Sequence, residues 1–216
     1  MLTEINNILP KDLEETFHSL DYDEESGLSV NAIKYLDNEL HFDFSLFLGD
    51  IEQNETQNWQ LQVLNYRDSK VDIDNLGGYF NFYLDHFLLW EFIDSETELY
   101  FKNSTENPEK LLADIYSIHN STFENYIPLE KFLNGNNLLT VCKSNNGLFG
   151  RGPKRILNYY FDCLKKAGKE PYFYGEYIAK KWDGEKWVPE DKNLKIALLG
   201  GTYFVGQDFK FKRLDK

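Results

Sequence analysis

The stretch LHFDFSL, residues 40–46, places an apolar side chain at every second position. Successive side chains of a β-strand point to opposite faces, so this alternation predicts a strand with one face in the protein core. The preceding run, residues 28–36, is joined to it by Asp37-Asn38, which is typical of a hairpin turn. A third alternating run, residues 59–64, follows a polar loop. The simplest arrangement of these three segments is an antiparallel meander.

Aromatic and glycine-containing segments predict further strands. A dense aromatic run at residues 79–92 is expected to form a central strand covered on both faces. A turn at residues 94–97 is expected to lead into residues 98–102, giving another hairpin. Asp183-Gly184 separates two tryptophan-containing segments and predicts a tight hairpin. Additional strands are predicted at residues 172–178, 194–199 and 209–214.

Three segments carry the apolar spacing of a helix. Asn107 and Pro108 suit the first positions of a helix over residues 108–120, and a second helix is predicted over residues 153–167. An apolar stripe between residues 13 and 20 predicts a short N-terminal helix. Because strands precede and follow the two main helices, an α+β fold with a largely antiparallel β-sheet is expected.

The 216 residues contain no clear linker. The polar stretch 103–107 is too short to act as a flexible connection, and it suits a helix cap equally well. A single domain is therefore expected, β-rich over residues 1–102, helical over residues 103–168 and β-rich over residues 169–216.

Composition narrows the class of protein. Hydrophobic residues make up 42% of the chain and charged residues 27%, a balance that excludes a disordered chain. The N-terminus lacks the basic and apolar regions of a secretory signal. No apolar run approaches the roughly 18 residues of a membrane helix. A cytoplasmic protein without membrane contact is expected.

Residues with the chemistry of metal binding or catalysis are scattered along the chain. The four histidines follow no metal-binding spacing, and the acidic run 21–27 does not match an EF-hand because its glycine falls one residue late. A cysteine–histidine pair would form a nucleophile only if folding brought the two side chains together. No metal, cofactor or catalytic residue is predicted, and a non-enzymatic role is favoured.

Charge is distributed unevenly. Residues 1–142 carry 27 acidic and 7 basic side chains, whereas residues 143–216 carry 9 acidic and 16 basic side chains. A strongly acidic segment repels nucleic acid and attracts basic proteins by long-range steering. Two other interpretations remain: the segments pair with each other, or both are solvated faces that aid solubility.

The acidic segment predicts a surface that docks a basic protein partner, as in inhibitors or immunity-type proteins that bind basic toxins. Aromatic side chains among carboxylates are typical of such surfaces. Trp182 and Trp187 fit this description, although a cross-strand pair that stabilises the hairpin explains them too. The predicted partner-binding residues are Asp21, Tyr22, Asp23, Glu24, Glu25 and Tyr66.

The alternative function is that of a small-molecule or phosphate-binding protein, or of an enzyme, that uses a glycine-rich loop over residues 147–155. Closely spaced glycines expose backbone N–H groups, and the start of the following helix favours an anion. The spacing matches neither common nucleotide-binding motif, so a plain loop that begins a helix is the competing interpretation. The predicted anion-binding residues are Gly147, Gly150, Arg151, Gly152, Lys154 and Arg155.

Overall fold

The computed structural model describes residues 3–5, 8–20, 27–49, 55–134, 137–190 and 193–215. The chain divides into two compact units: unit 1 comprises Met1–His86 and Asn193–Lys216, and unit 2 comprises Phe87–Lys192. The two ends of the chain therefore contribute to one unit. Residues 103–107 lie within unit 2. That the chain folds as a single domain stays a prediction.

The α+β class and the predominance of antiparallel pairing are confirmed. The α-helices of the described residues are α1 (Lys11–Ser19), α2 (Trp90–Ile93), α3 (Pro108–Phe123), α4 (Leu138–Lys143) and α5 (Lys154–Lys166). The strands are β1 (Thr3–Glu4), β2 (Gly27–Leu36), β3 (Glu39–Leu48), β4 (Glu55–Leu64), β5 (Asp68–Lys70), β6 (Asn81–Asp85), β7 (Ser95–Lys102), β8 (Asn146–Pro153), β9 (Glu170–Ile178), β10 (Lys180–Trp182), β11 (Trp187–Pro189), β12 (Lys195–Leu199), β13 (Thr202–Gly206) and β14 (Asp208–Arg213). Short 3₁₀ turns lie at Ile73–Asn75, Phe87–Leu89 and Leu129–Lys131.

Unit 1 contains two antiparallel sheets. One has the strand order β14-β4-β3-β2 and the other β1-β6-β12-β13-β5. The predicted meander is confirmed, since β3 pairs with β2 on one side and with β4 on the other. The predicted inward residues of β3 are fully buried: Leu40, Phe42, Phe44 and Leu46.

Aromatic rings join the two sheets of unit 1. Phe42 of β3 contacts Phe204 of β13 with ring centroids 5.0 Å apart, and Phe82 of β6 contacts Phe209 of β14 at 5.4 Å. The predicted N-terminal helix is confirmed as α1, whose Phe17 is fully buried. Burial of each of these phenylalanine side chains stabilises the fold by roughly 1.5–3 kcal/mol.

The prediction of one central strand over residues 79–92 is wrong. Only residues 81–85 form a strand, β6, in unit 1. In unit 2, a 3₁₀ turn begins at Phe87 and helix α2 begins at Trp90. A short run of consecutive apolar residues fits a buried helix as well as a buried strand, so periodicity alone does not distinguish the two.

Unit 2 is built on the antiparallel sheet β8-β7-β9. Helix α5 covers one face, where Phe149 of β8 contacts Tyr160 and Phe173 of β9 stacks on Phe161 with ring centroids 5.2 Å apart. The predicted hairpin into residues 98–102 is wrong, because β7 pairs with β8 and β9 rather than with a preceding strand.

Both main helices are confirmed, with observed limits Pro108–Phe123 and Lys154–Lys166. The side chain of Asn107 accepts a hydrogen bond from the backbone N–H of Lys110 at 3.0 Å. This contact satisfies a backbone donor that the first helical turn leaves without an intrahelical partner. The start of α3 was therefore predicted correctly from the sequence.

The buried side chain of His86 should make the stability of the fold depend on pH. Burial lowers its pKa to about 4, against 6.5 for the free side chain. Between these values the unfolded chain binds a proton that the folded chain does not, so the free energy of unfolding should fall as pH decreases from 6.5 to 4. The loss should approach about 3 kcal/mol, and His86→Gln should remove it. Urea unfolding at several pH values measures this.

The exposed His18 offers a matched control, because His18→Gln removes a histidine of the same unit. That variant should retain the pH dependence. A wild-type free energy of unfolding that stays constant from pH 6.5 to 4.5 would contradict the prediction.

Candidate functional site

Five of the predicted partner-binding residues lie outside the described residues: Asp21, Tyr22, Asp23, Glu24 and Glu25. Their role stays a prediction from sequence. Tyr66 is described and half-buried. Its ring meets the exposed ring of Tyr35 with centroids 5.6 Å apart, and its hydroxyl lies 3.2 Å from Ser69 Oγ. Burial raises the pKa of Tyr66, so the phenol stays protonated and available for hydrogen bonding.

The two units of the fold do not coincide with the acidic and basic segments of the sequence. Unit 1 contains 20 acidic and 9 basic residues, a net charge of −11. Unit 2 contains 16 acidic and 14 basic residues, a net charge of −2. The excess negative charge therefore belongs almost entirely to unit 1.

The prediction of a loop over residues 147–155 is wrong, because residues 147–153 lie in strand β8 and residues 154–155 begin helix α5. Besides pairing with β7, the strand bonds to the segment that precedes α4. The N–H of Arg151 donates to the Phe132 carbonyl, and the N–H of Asn134 donates to the Phe149 carbonyl, both at 2.8 Å. A β-carbon on Gly152 would lie 2.5 Å from the ring of Phe132. Close packing therefore explains a glycine at this position.

Two of the predicted anion-binding side chains already form ion pairs with carboxylates of the same unit. Arg151 Nε donates to Glu96 Oε1 at 2.8 Å, and this contact raises the pKa of Arg151. Lys154 Nζ donates to a carboxylate oxygen of Glu176 at 3.2 Å. The pKa of Glu176 is lowered by its hydrogen bonds from Ser95 and Lys154.

The N-terminus of α5 is also satisfied by a carboxylate. Asp94 Oδ2 accepts the backbone N–H of Arg155 at 2.7 Å, which is the position expected for a bound anion. The Arg155 guanidinium lies against the ring of Trp90, 4.8 Å from its centroid. Binding of an external anion at these residues stays a prediction, and it would have to compete with Asp94.

A cavity of about 580 Å³ opens beside strand β8 in unit 2. Arg151 and Gly152 line it, whereas Lys154 and Arg155 do not. Its apolar wall includes Phe132, Leu133 and Leu148. Its charged residues are of both signs: Glu91, Asp94, Glu96, Glu190, Lys131, Arg151 and Lys180.

The histidine and cysteine side chains of unit 2 have structural contacts. His119 is buried, with Nε2 donating to the Ile127 carbonyl and Nδ1 accepting from the Tyr160 hydroxyl, both at 2.8 Å. Burial raises the pKa of Cys142 to about 11, and burial also raises the pKa of Cys163. The thiols are therefore protonated at neutral pH, the state that is poor in nucleophilic attack.

Within the described ranges, no group of three or more His, Cys, Asp or Glu side chains is arranged to hold a metal ion. None of the helices in that part of the chain is long and apolar enough to cross a membrane.

Sequence reasoning missed an aromatic surface on the outer side of the unit 2 sheet. We call it the tyrosine face: Tyr100 of β7 with Tyr172, Tyr174 and Tyr177 of β9, on the side opposite α5. Tyr100 stacks on Tyr172 with ring centroids 5.7 Å apart and meets Tyr174 edge-on at 6.2 Å. The alternation of tyrosine and phenylalanine at residues 172–174 was the available signal, because it assigns the two tyrosines to one side.

The two exposed tryptophans pair across the predicted hairpin. Trp182 of β10 lies directly opposite Trp187 of β11, and their ring centroids are 5.8 Å apart at an angle of 66°. The hairpin is confirmed, and the pair stabilises it through cross-strand ring contact.

Comparisons of the chain with protein-family models, with curated proteins and with solved structures find no match. The function must therefore be inferred from the residues and their geometry.

Gly152→Ala should test the packing of β8 against Phe132. The added methyl group meets the ring at 2.5 Å, and the backbone φ of +156° is unfavourable for alanine. We expect the free energy of unfolding to fall by about 2 kcal/mol, measured by urea unfolding. Gly77→Ala, where the methyl group meets open space, should change it far less. Equal effects of the two variants would contradict this account.

Proposed function

We propose that this protein is a non-enzymatic binding protein that docks a basic protein partner through unit 1. The net charge of −11 that folding leaves in that unit carries the proposal. Opposite charge on a partner raises the association rate and selects against acidic competitors. An inhibitor of a basic protein would use the same physics.

The charge pattern of unit 2 supports assigning the docking surface to unit 1. Arg151 of β8 and Lys154 of α5 are paired with Glu96 and Glu176 of their own unit. Unit 2 has a net charge of only −2, which gives it little long-range field to steer a charged partner. In unit 1, exposed carboxylates such as Glu4, Glu14 and Asp74 add to the acidic run 21–25.

The test compares two variants of the full chain that lose equal charge. The first neutralises unit 1 with Asp21→Asn, Asp23→Asn, Glu24→Gln and Glu25→Gln. The second neutralises unit 2 with Glu106→Gln, Glu124→Gln, Glu130→Gln and Glu185→Gln, all at exposed positions. Each protein is immobilised, exposed to a lysate of the native host and eluted with a salt gradient.

We expect wild type and the unit 2 variant to retain the same basic protein, identified by mass spectrometry, and the unit 1 variant to bind it at least about tenfold more weakly at low salt. The difference should vanish near 1 M salt, where charges are screened within about 3 Å. Equal retention by both variants, or the absence of any basic protein from the eluate, would contradict the proposal.

The cavity beside β8 favours a second candidate function, binding of a small molecule in unit 2. Its volume of about 580 Å³ suits a metabolite-sized ligand, and it combines an apolar wall with charged groups. Three cationic residues line the cavity, Lys131, Arg151 and Lys180. Arg151 could bind an acidic ligand through two parallel hydrogen bonds, by exchange with Glu96.

Inorganic phosphate is the simplest probe of this second function. If the cavity binds it, millimolar phosphate should raise the Tm by several degrees relative to chloride at equal ionic strength, because a ligand at 100 times its Kd stabilises by about 2.7 kcal/mol. Arg151→Gln should abolish the shift, whereas Lys165→Gln, at an exposed position outside the cavity lining, should retain it. An unchanged Tm in phosphate would exclude phosphate as the ligand.

A further inference from the structure

Exposed apolar side chains are concentrated in one short stretch of unit 2. Of the fourteen large apolar side chains that are exposed among the described residues, six lie within residues 172–187. Tyr174 and Tyr177 are 63% and 50% exposed and stand on the tyrosine face. Contiguous exposed aromatic surface is typical of binding sites rather than of ordinary solvated surface.

Glutamates lie directly opposite these two tyrosines. In the β7–β9 register, Glu98 pairs with Tyr174 and Glu96 pairs with Tyr177. Residues directly opposite in an antiparallel pair have their Cβ atoms about 4.5–5.5 Å apart. A cationic side chain can therefore stack on a tyrosine ring and meet a carboxylate at the same time.

The chain's own cations already make both kinds of contact on this face. Arg151 donates to Glu96 at 2.8 Å, and Lys102 Nζ lies 5.4 Å from the ring centroid of Tyr172. Arg151 lies directly opposite Glu98 in the β7–β8 register, yet its ion pair in the described part of the chain is with Glu96. In the same part of the chain, no lysine or arginine lies over the ring of Tyr174. Glu98 is instead contacted by the hydroxyl of Tyr100 at 3.2 Å.

We infer that Glu98 and Tyr174 bind an arginine side chain of the basic partner, with Tyr177 beside it. The inference rests on the proposed function, to which it adds a recognition site in unit 2. Arginine is favoured over lysine, because the planar guanidinium stacks on an aromatic ring while it donates hydrogen bonds to a carboxylate. Steering by unit 1 and arginine recognition by the tyrosine face are separable contributions.

Fluorescent nona-arginine and nona-lysine peptides serve as probes, since they carry the same charge and differ only in the cationic group. Binding to the full chain is measured by fluorescence anisotropy. We expect the arginine peptide to bind several-fold more tightly to the wild type. Tyr174→Ala and Glu98→Gln should each weaken arginine binding by about three- to fivefold and remove the preference over lysine.

Control variants distinguish the effect of the aromatic ring from the effect of charge and from a loss of folding. Tyr174→Phe keeps the aromatic ring and should bind within about twofold of wild type. Tyr116→Ala removes an exposed tyrosine of α3, and Glu106→Gln removes an exposed charge outside the face; both should behave as wild type. Circular dichroism of each variant establishes that its fold is retained.

Three results would overturn the inference. The arginine peptide could bind Tyr174→Ala as tightly as wild type, Glu98→Gln could have no more effect than Glu106→Gln, or an oligothymidylate could bind in a Tyr174-dependent manner, which would assign the face to nucleic acid. If the unit 1 variant alone weakens both peptides, the proposed function stands and the arginine site fails. If only the tyrosine-face variants weaken binding, the arginine site stands and docking through unit 1 fails.

Discussion

Ion pairs within unit 2 hold basic side chains of β8 and α5 against carboxylates of the same unit. Arg151 pairs with Glu96, and Lys154 pairs with Glu176. The first pair forms because β7 and β8 are adjacent strands, although their sequences are some fifty residues apart. The backbone N–H of Arg155 is satisfied by Asp94 in the same region. Unit 2 is nearly neutral because it contains 16 acidic and 14 basic residues, whereas unit 1 has a net charge of −11.

Phenylalanine and tyrosine occupy different sides of the same strand in unit 2. In β9, Phe173 stacks on α5, whereas Tyr172 and Tyr174 face outward. The phenol hydroxyl requires a hydrogen-bond partner when buried, so a tyrosine is more easily accommodated where water supplies one. Tyr160 is the instructive exception, because its buried hydroxyl donates to His119. The same chemistry leaves rings and carboxylates together on the outer face.

The sequence predicted local structure correctly wherever the residues that determine an element all lie within one segment. Alternation at residues 40–46 identified β3 and its buried face, and the side chain of Asn107 identified the start of α3. The Trp182–Trp187 pair followed from a two-segment hairpin pattern. The aromatic run 79–92 was misassigned because its second half contains the consecutive apolar residues 87–90, which have no period that separates strand from helix.

The candidate sites were harder to predict because each depends on distant partners. Glycines at residues 147–152 suggested an open loop, yet the carbonyl of Phe132 and the strand β7 complete a sheet around them. Tyr66 could be named from sequence, but its contact with Tyr35 could not. The sequence by itself determined the periodicity of the elements, the helix cap and the total charge, since these depend on backbone geometry and composition. Only the tertiary structure decided which strands pair, which charges neutralise one another and which tyrosines share a face, because those outcomes depend on contacts between residues far apart in the chain.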